Sequence, residues 1–229
     1  MTYITADIHG EYEMFCELLR KISFSESDIM YVCGDIIDKG SSSVKLARML
    51  SKISNIHCIM GNHELAFLKY YDSLMEESPN DFDSVLDRLN DYFPDDEQMD
   101  WETVDWLDAL PPYIETNDFI CVHAGIPILQ NGELAPFDKV SVEQLVYDRH
   151  FKEPSSVHTS KKCVFFGHTQ TDVVCGEAKI LAYKRRSSNG CFSIADLYKV
   201  HLDTGSWSNG VLGCFCVDNM KVCYVIKRT

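Results

Sequence analysis

The segment Ile29-Met30-Tyr31-Val32-Cys33-Gly34-Asp35-Ile36-Ile37-Asp38 joins a short apolar run directly to a polar cluster. An apolar run of this length closed by glycine reads as a buried strand, which places the carboxylates at its carboxyl end. The same order recurs on both sides. Tyr3-Ile4-Thr5-Ala6 leads to Asp7-Ile8-His9, and Ile56 to Met60 leads to Gly61-Asn62-His63-Glu64. Further on, Phe119 to Val122 leads to His123-Ala124-Gly125, and Cys163 to Phe166 leads to Gly167-His168-Thr169. Between the first three runs, Met14, Leu18, Leu19 and Ile22, then Val44, Ala47, Leu50 and Ile53, follow a helical period, with Ser41 to Ser43 placed to cap the second helix. Strands alternating with helices predict a layered α/β fold, in which ligands bind beyond the carboxyl ends of the strands.

The rest of the chain departs from this alternation. Residues 72 to 108 hold fourteen Asp and Glu against one Arg, with Phe82, Val85, Leu86, Leu89, Trp101, Val104 and Leu107 spaced as on helices. This predicts an acidic helical insertion over 72–110, closed by Pro111-Pro112, with Trp101 and Trp106 as candidate anchors to the core. A short helix is expected at Val142 to Tyr147. From Cys191 onward, Tyr198 to Leu202, Val211 to Val217 and Lys221 to Ile226 predict a C-terminal antiparallel meander.

Composition narrows the class. A chain of 229 residues suits one domain spanning 1–229, and 45% apolar with 24% charged residues is ordinary for a soluble globular protein. The net charge of −14 lies mostly in the acidic segment, which repels phosphate backbones, so nucleic acid is not an expected partner. No basic leader precedes an apolar run, and no stretch approaches the roughly 18 apolar residues of a membrane span, so a cytoplasmic location without a membrane partner is expected. Ten cysteines without a Cys-x-x-Cys predict reduced, packed thiols rather than a zinc knuckle or redox motif.

The five strand-end clusters offer carboxylates, an amide carbonyl and imidazoles but no thiolate, a set suited to hard or borderline divalent cations. Any one of them alone reads as a turn or a satisfied core pair. Five strand ends with idle buried polar groups would be costly, so the set points to one convergent site.

The order Asp-x-His-Gly, Gly-Asp-x-x-Asp-x-Gly, Gly-Asn-His-Glu, His-Ala-Gly and Gly-His-Thr resembles the metallophosphoesterase superfamily, and within it the phosphoprotein phosphatases of bacterial and phage type. The resemblance spans roughly residues 2 to 205. It implies a sandwich of two mixed β-sheets flanked by helices. It also implies two divalent metal ions, manganese first, with iron, zinc, cobalt or nickel as alternatives. Asp7, His9 and Asp35 would hold one metal, and Asp35 would bridge to a second completed by Asn62, His123 and His168. A metal-bridging hydroxide would be the nucleophile, with His63 as the general acid and Asp38 orienting it; the other reading of Asp38 is a turn cap.

Phosphate would be bound by Asn62, by Arg149 and by Lys39, which stands where the family usually has Arg and lacks the bidentate fork. Arg149 reads otherwise as a surface residue. The resemblance is to the phosphoprotein branch because Gly167-His168-Thr169-Gln170 lacks a second His and the third motif ends in Glu64. Retention of Asp38 separates the chain from symmetrical dinucleoside tetraphosphatases. Lys184-Arg185-Arg186 is either a phosphate-binding run or a solvated loop, and His201 is a further candidate near the metals, whereas His57, His150 and His158 read as ordinary. The acidic insertion is either a lid for basic phosphopeptides or a solvated cap.

The expected activity is metal-dependent phosphomonoester hydrolysis, on phosphoserine or phosphothreonine in a protein or peptide, or on small phosphate esters. The alternative with the same metals is symmetrical cleavage of dinucleoside polyphosphates. The alternative of another class is a non-catalytic scaffold that binds partners through the acidic insertion.

Overall fold

The computed structural model describes residues 1–93, 96–185 and 193–227. Three parallel strands, β1 (Thr2–Thr5), β2 (Ile29–Val32) and β3 (Ile56–Cys58), are joined by helices α1 (Tyr12–Lys21) and α2 (Ser43–Leu50). After β3 the chain enters α3 (Asn62–Glu77), α4 (Phe82–Asp91) and α5 (Trp101–Asp108). It then forms β4 (Tyr113–Glu115), β5 (Phe119–Val122), α6 (Val142–Tyr147), β6 (Cys163–Phe166), α7 (Thr171–Cys175), β7 (Leu181–Lys184), β8 (Leu197–His201), β9 (Val211–Cys216) and β10 (Lys221–Ile226).

These strands make two mixed five-stranded sheets, ordered β10-β9-β1-β2-β3 and β4-β5-β6-β8-β7. Side chains alternate across each strand, and the packing follows. Ile4, Cys33 and Ile59 from the first sheet meet Phe119, Cys121, Phe165 and Val200 from the second in one buried layer between them. On the outer face of the first sheet, Tyr3, Met30 and Val32 pack under Phe15, Leu18, Leu46 and Phe67 of the helices. On the outer face of the second, Ile120, Val122, Val164 and Phe166 pack under Leu145 and Phe151. This is the α/β sandwich expected from the sequence.

Three details differ from expectation. The C-terminal strands are not one meander: β9 and β10 form a hairpin on the edge of the first sheet, whereas β8 pairs in parallel with β6 in the second. β8 is buried along its whole length, as suits a strand held between two others inside a covered sheet. The first turns of the helical segment belong to α3, which starts at Asn62, inside a motif read as site rather than helix. Ser42 occupies the N-cap of α2 without a side-chain cap bond; Asp96 of the insertion accepts the Val44 and Lys45 amides instead, at 2.8 and 3.4 Å.

The acidic segment is built into the fold. Val85, Leu89, Val104 and Leu107 are buried in the same cluster as Ile36, Ile37 and Leu46, and Trp101 and Trp106 pack against it. Its carboxylates have local work: Asp81 and Asp100 cap α4 and α5, and Arg48 of α2 pairs with Glu97 and Asp100. Among the described residues the cysteines are free thiols, most of them buried, and no helix is long and apolar enough to cross a membrane.

Candidate metal centre

Because β1, β2 and β3 run parallel, the loops that follow them emerge at one edge of the first sheet, and β5, β6 and β8 deliver theirs beside it. The loops are laced by backbone bonds, Asp7 N to Gly34 O at 3.1 Å, His9 N to Asp35 O at 2.9 Å and Gly167 N to His123 O at 2.7 Å. At this edge Asp35 is the common member of two groups. His9, Asp35 and His63 bring ligand atoms within 4.8 Å of one another, as do Asp35, His123 and His168. Asp35 Oδ2 lies 3.5 Å from His9 Nε2, and its Oδ1 lies 3.3 Å from His123 Nε2. Asn62 Oδ1 completes the second group, 2.9 Å from His123 Nε2 and 2.7 Å from His168 Nδ1. Asp7 is buried beside them, accepting the His168 amide at 3.0 and 3.2 Å; His63 rather than Asp7 stands in the first group of three.

The donor set fits a cation. His123 donates from Nδ1 to the Cys33 carbonyl at 2.9 Å, and its Nε2 faces two oxygen acceptors, Asn62 Oδ1 and Asp35 Oδ1; burial draws its pKa down, but the Asp35 charge more than offsets it, and the net shift is upward. His9 repeats the pattern, with Nδ1 on the Ile37 carbonyl at 3.3 Å and Nε2 toward Asp35. The buried oxygens around these rings need positive charge among them, supplied by a proton on the imidazole or, in its place, by a bound cation. His168 adds a buried Nε2 without a hydrogen-bond partner among the described residues.

The electrostatics agree. Burial opposes ionisation of Asp35, yet His123, His9 and His63 outweigh it and hold this carboxyl below its usual range. Asp7 is pushed well upward by burial and by the nearby Asp203 and Asp35. Burial also raises Asp203, which follows β8, to about 7. His168 is lowered to about 3, first by burial, then by His123, and also by the charge of Arg149. Buried carboxylates crowded among imidazoles are what a site for divalent cations requires.

Backbone strain is concentrated here. Of the eight non-glycine residues with positive φ among the described residues, six are Asp7, His9, Asp35, Asp38, Lys39 and His168. Such conformations cost about 1–2 kcal/mol each and persist where surrounding structure enforces them. Two glycines serve the same crowding. A Cβ at Gly61 would overlap the Asp35 carboxylate and amide, and one at Gly167 would overlap the Asp7 carboxylate.

Glu64 is a residue whose role the motifs alone did not reveal. Fully buried, its carboxylate accepts four amides: Asp35 at 2.9 Å, Ile36 at 2.8 Å, Ile37 at 3.0 Å and Gly61 at 2.8 Å. It thereby fixes the turn that carries Asp35 while capping α3. Its place three residues after Gly61, at the start of a helix, was the available sequence signal.

The remaining candidates divide. His63 Nδ1 lies 2.6 Å from Asp38 Oδ2, while the other Asp38 oxygen accepts the Lys39 amide, so Asp38 makes the contact that each of its two readings requires. Lys39 is exposed, its ammonium 6.0 Å from the Trp207 ring centroid, and it lines a cleft of about 280 Å³ with Asp38, Tyr92, Phe93 and Asp96 of the insertion. Arg149 is exposed just after α6, within electrostatic reach of His168. His201 stays outside the metal groups, its Nε2 donating to Thr169 O and its ring stacked on Phe166. Arg185 donates to the Ser160 and Lys162 carbonyls, and Arg186 lies outside the described residues. His158 is buried against Tyr198.

Comparison with known proteins completes the description. The chain is 30% identical over 129 residues to the symmetrical bis(5'-nucleosyl)-tetraphosphatase of Aggregatibacter actinomycetemcomitans, a match covering 55% of this chain and 44% of that one. It is 32% identical over 129 residues to the protein of the same name from Haemophilus ducreyi, covering 55% and 45%. These matches span less than half the length of the curated relatives. A crystal structure designated a candidate diadenosine tetraphosphatase superposes with a TM-score of 0.71 over 99% of this chain and 93% of its own, at 18% identity, a likeness of fold. Residues 2–200 match the family described as calcineurin-like phosphoesterase. With that match covering most of the chain, and the ligand groups placed where its strands end, the chain belongs to the calcineurin-like phosphoesterases, a family of metal-dependent hydrolases.

Proposed function

We propose that this chain, as one metallophosphoesterase domain, hydrolyses phosphoanhydrides of the dinucleoside polyphosphate class. The observation that carries the hydrolase is the pair of ligand groups sharing Asp35. The substrate class is supported by the names of the curated relatives, and it displaces the phosphoprotein reading from first place. The cleft between Lys39 and the insertion residues Tyr92 and Phe93 offers room beyond the phosphate for the rest of such a substrate.

Two divalent cations, when bound, supply Lewis acidity and a nucleophilic water at neutral pH. In this reading Asp7, His9 and Asp35 hold one, manganese being the first choice, and Asp35, Asn62, His123 and His168 hold the other. His63 donates a proton from Nε2 to the leaving oxygen, and Asp38 fixes its tautomer by accepting from Nδ1. Lys39, Arg149 and Asn62 bind the phosphate.

One observation favours phosphomonoesters of serine or threonine as a second reading. A phosphate leaving group departs readily without help, whereas an alkoxide needs a proton, and the His63–Asp38 pair is suited to provide it. The two are separated by measuring product release from bis(5'-adenosyl) tetraphosphate and from a phosphothreonine peptide with manganese-loaded protein, using Asp35→Asn as control. Faster turnover of the dinucleotide is expected. Turnover of the peptide alone would reverse the order of the two readings, and turnover of neither with metal bound would leave the scaffold reading.

A further inference from the structure

Lys199 lies on β8, between β6 and β7, and is fully buried. Its ammonium donates to three backbone carbonyls, Phe151 O at 2.6 Å, Glu153 O at 2.7 Å and Ser156 O at 2.9 Å, so all three of its protons are used. Aromatic rings enclose it, with centroids at 4.8 Å for Tyr183, 5.1 Å for Phe151, 5.7 Å for Tyr198 and 5.9 Å for Phe166. Burial lowers the ammonium to about 8, which leaves it charged at neutral pH. A charge in an otherwise apolar layer is costly to bury, so its location calls for a physical account.

The three carbonyls belong to one irregular turn that begins immediately after Arg149. Within that turn, Asp148 Oδ1 accepts the amides of His150 and Phe151 at 2.8 and 2.6 Å, and Ser156 Oγ donates to His150 O at 2.7 Å. Phe151 also packs so closely on Gly125, two residues beyond His123, that a Cβ there would overlap its ring. Glu153 O also accepts the Ser156 amide at 3.0 Å, and the Lys199 ammonium joins all three carbonyls at one point. Arg149 is thus flanked by α6 on one side and by a turn pinned to β8 on the other.

We propose that Lys199 is a positioning residue for Arg149: by clamping the carbonyls of residues 151, 153 and 156, it fixes the turn that presents the Arg149 guanidinium to substrate phosphate. This rests on the phosphate-binding role given to Arg149 above. The clamp acts through the backbone, so it governs how well phosphate is held rather than how the bond is broken.

The test is a double-mutant cycle on the manganese-loaded protein, reading the dissociation constant of inorganic phosphate by calorimetry and KM against kcat for bis(5'-adenosyl) tetraphosphate. Lys199→Met and Arg149→Ala are each expected to weaken phosphate binding about 10-fold, the scale typical of lost supporting contacts. The double variant should be no weaker than Arg149→Ala alone. If Lys199→Met does not yield folded protein, Lys199→Gln, which keeps an N–H donor, replaces it in the same cycle. Additive losses, or a Lys199 variant that folds and binds phosphate normally, would overturn the clamp while leaving Arg149 in place. An Arg149→Ala protein that binds phosphate normally would remove Arg149 from the proposed site, and the clamp's purpose with it.

Discussion

His63 Nδ1 stands 2.6 Å from the Asp38 carboxylate, with its Nε2 turned toward Asp35 at 3.8 Å. Burial draws the His63 pKa down, but the Asp38 hydrogen bond and the Asp35 charge more than offset it, and the net shift is upward. An acid must be protonated to act, so activity falls as pH rises through this pKa. Asp38→Asn removes a charge that favours the imidazolium. It should therefore move the alkaline limb of the kcat profile for a phosphothreonine peptide to lower pH and reduce that kcat by about 10²-fold, within the range of a positioned acid. An unchanged limb and rate would leave Asp38 as the turn cap for Lys39 alone.

Asp35 is the shared member of both ligand groups, so its replacement strikes both at once. Asp35→Asn should lose manganese at both positions. Activity should fall by more than the roughly 10- to 100-fold that loss of an outer supporting partner costs. Elemental analysis after dialysis, with calorimetric titration of manganese, checks this. Retention of both metals would mean that Asp35 does not join the two groups.

Glu64→Gln keeps the shape but sets an amide group against amides that the carboxylate accepts. Leaving one or two buried donors unpaired costs about 1–3 kcal/mol each, and at this chain length each kcal/mol lowers Tm by about 2–4 °C. A thermal melt measures the loss. A weaker manganese affinity should accompany it, because the disturbed turn carries Asp35. A melt unchanged from wild type would show that the four amides find other acceptors.

Burial lowers both His158 and His201 to about 4, and each has a buried Nδ1 without a hydrogen-bond partner among the described residues. The unfolded chain takes up these protons near pH 6.5, the folded chain only near 4. Stability is therefore lost as pH falls through that window, by at most about 1.4 kcal/mol per pH unit for each ring. In melts from pH 7 to pH 4, His158→Gln should show a shallower decline than wild type. Parallel curves would mean that the imidazole takes up its proton without unfolding.

The strands that feed the site were legible because each is a short apolar run ending at glycine or a polar ligand; β1, β2, β3, β5 and β6 fall where that pattern places them. The five strand-end clusters were legible for the same reason, whereas the choice of six metal-ligand candidates within them came from the family resemblance. The start of α3 was hidden because Asn62 and His63 serve as helix and site together. The role of β8 was hidden because Leu197, Tyr198 and Val200 fit a strand of either sheet, and Lys199 and His201 do not signal burial. Glu64 was visible as a motif letter, but its four amides come from residues 35–37 and 61, a contact set by tertiary structure. Lys199 gave no periodic signal, since its partners are carbonyls in a turn about 45 residues away in sequence.

The left-handed backbone at Asp7, His9, Asp35, Asp38, Lys39 and His168 bears on how such a chain would age. Glycine or asparagine adopts these angles more readily than most side chains. A protein retained only as a docking platform would be free to relax at these six positions, and its decline would show first as glycines and asparagines accumulating there. This chain carries a carboxylate, an imidazole or an ammonium at every one of them, as the proposed hydrolase would require and a docking platform would not.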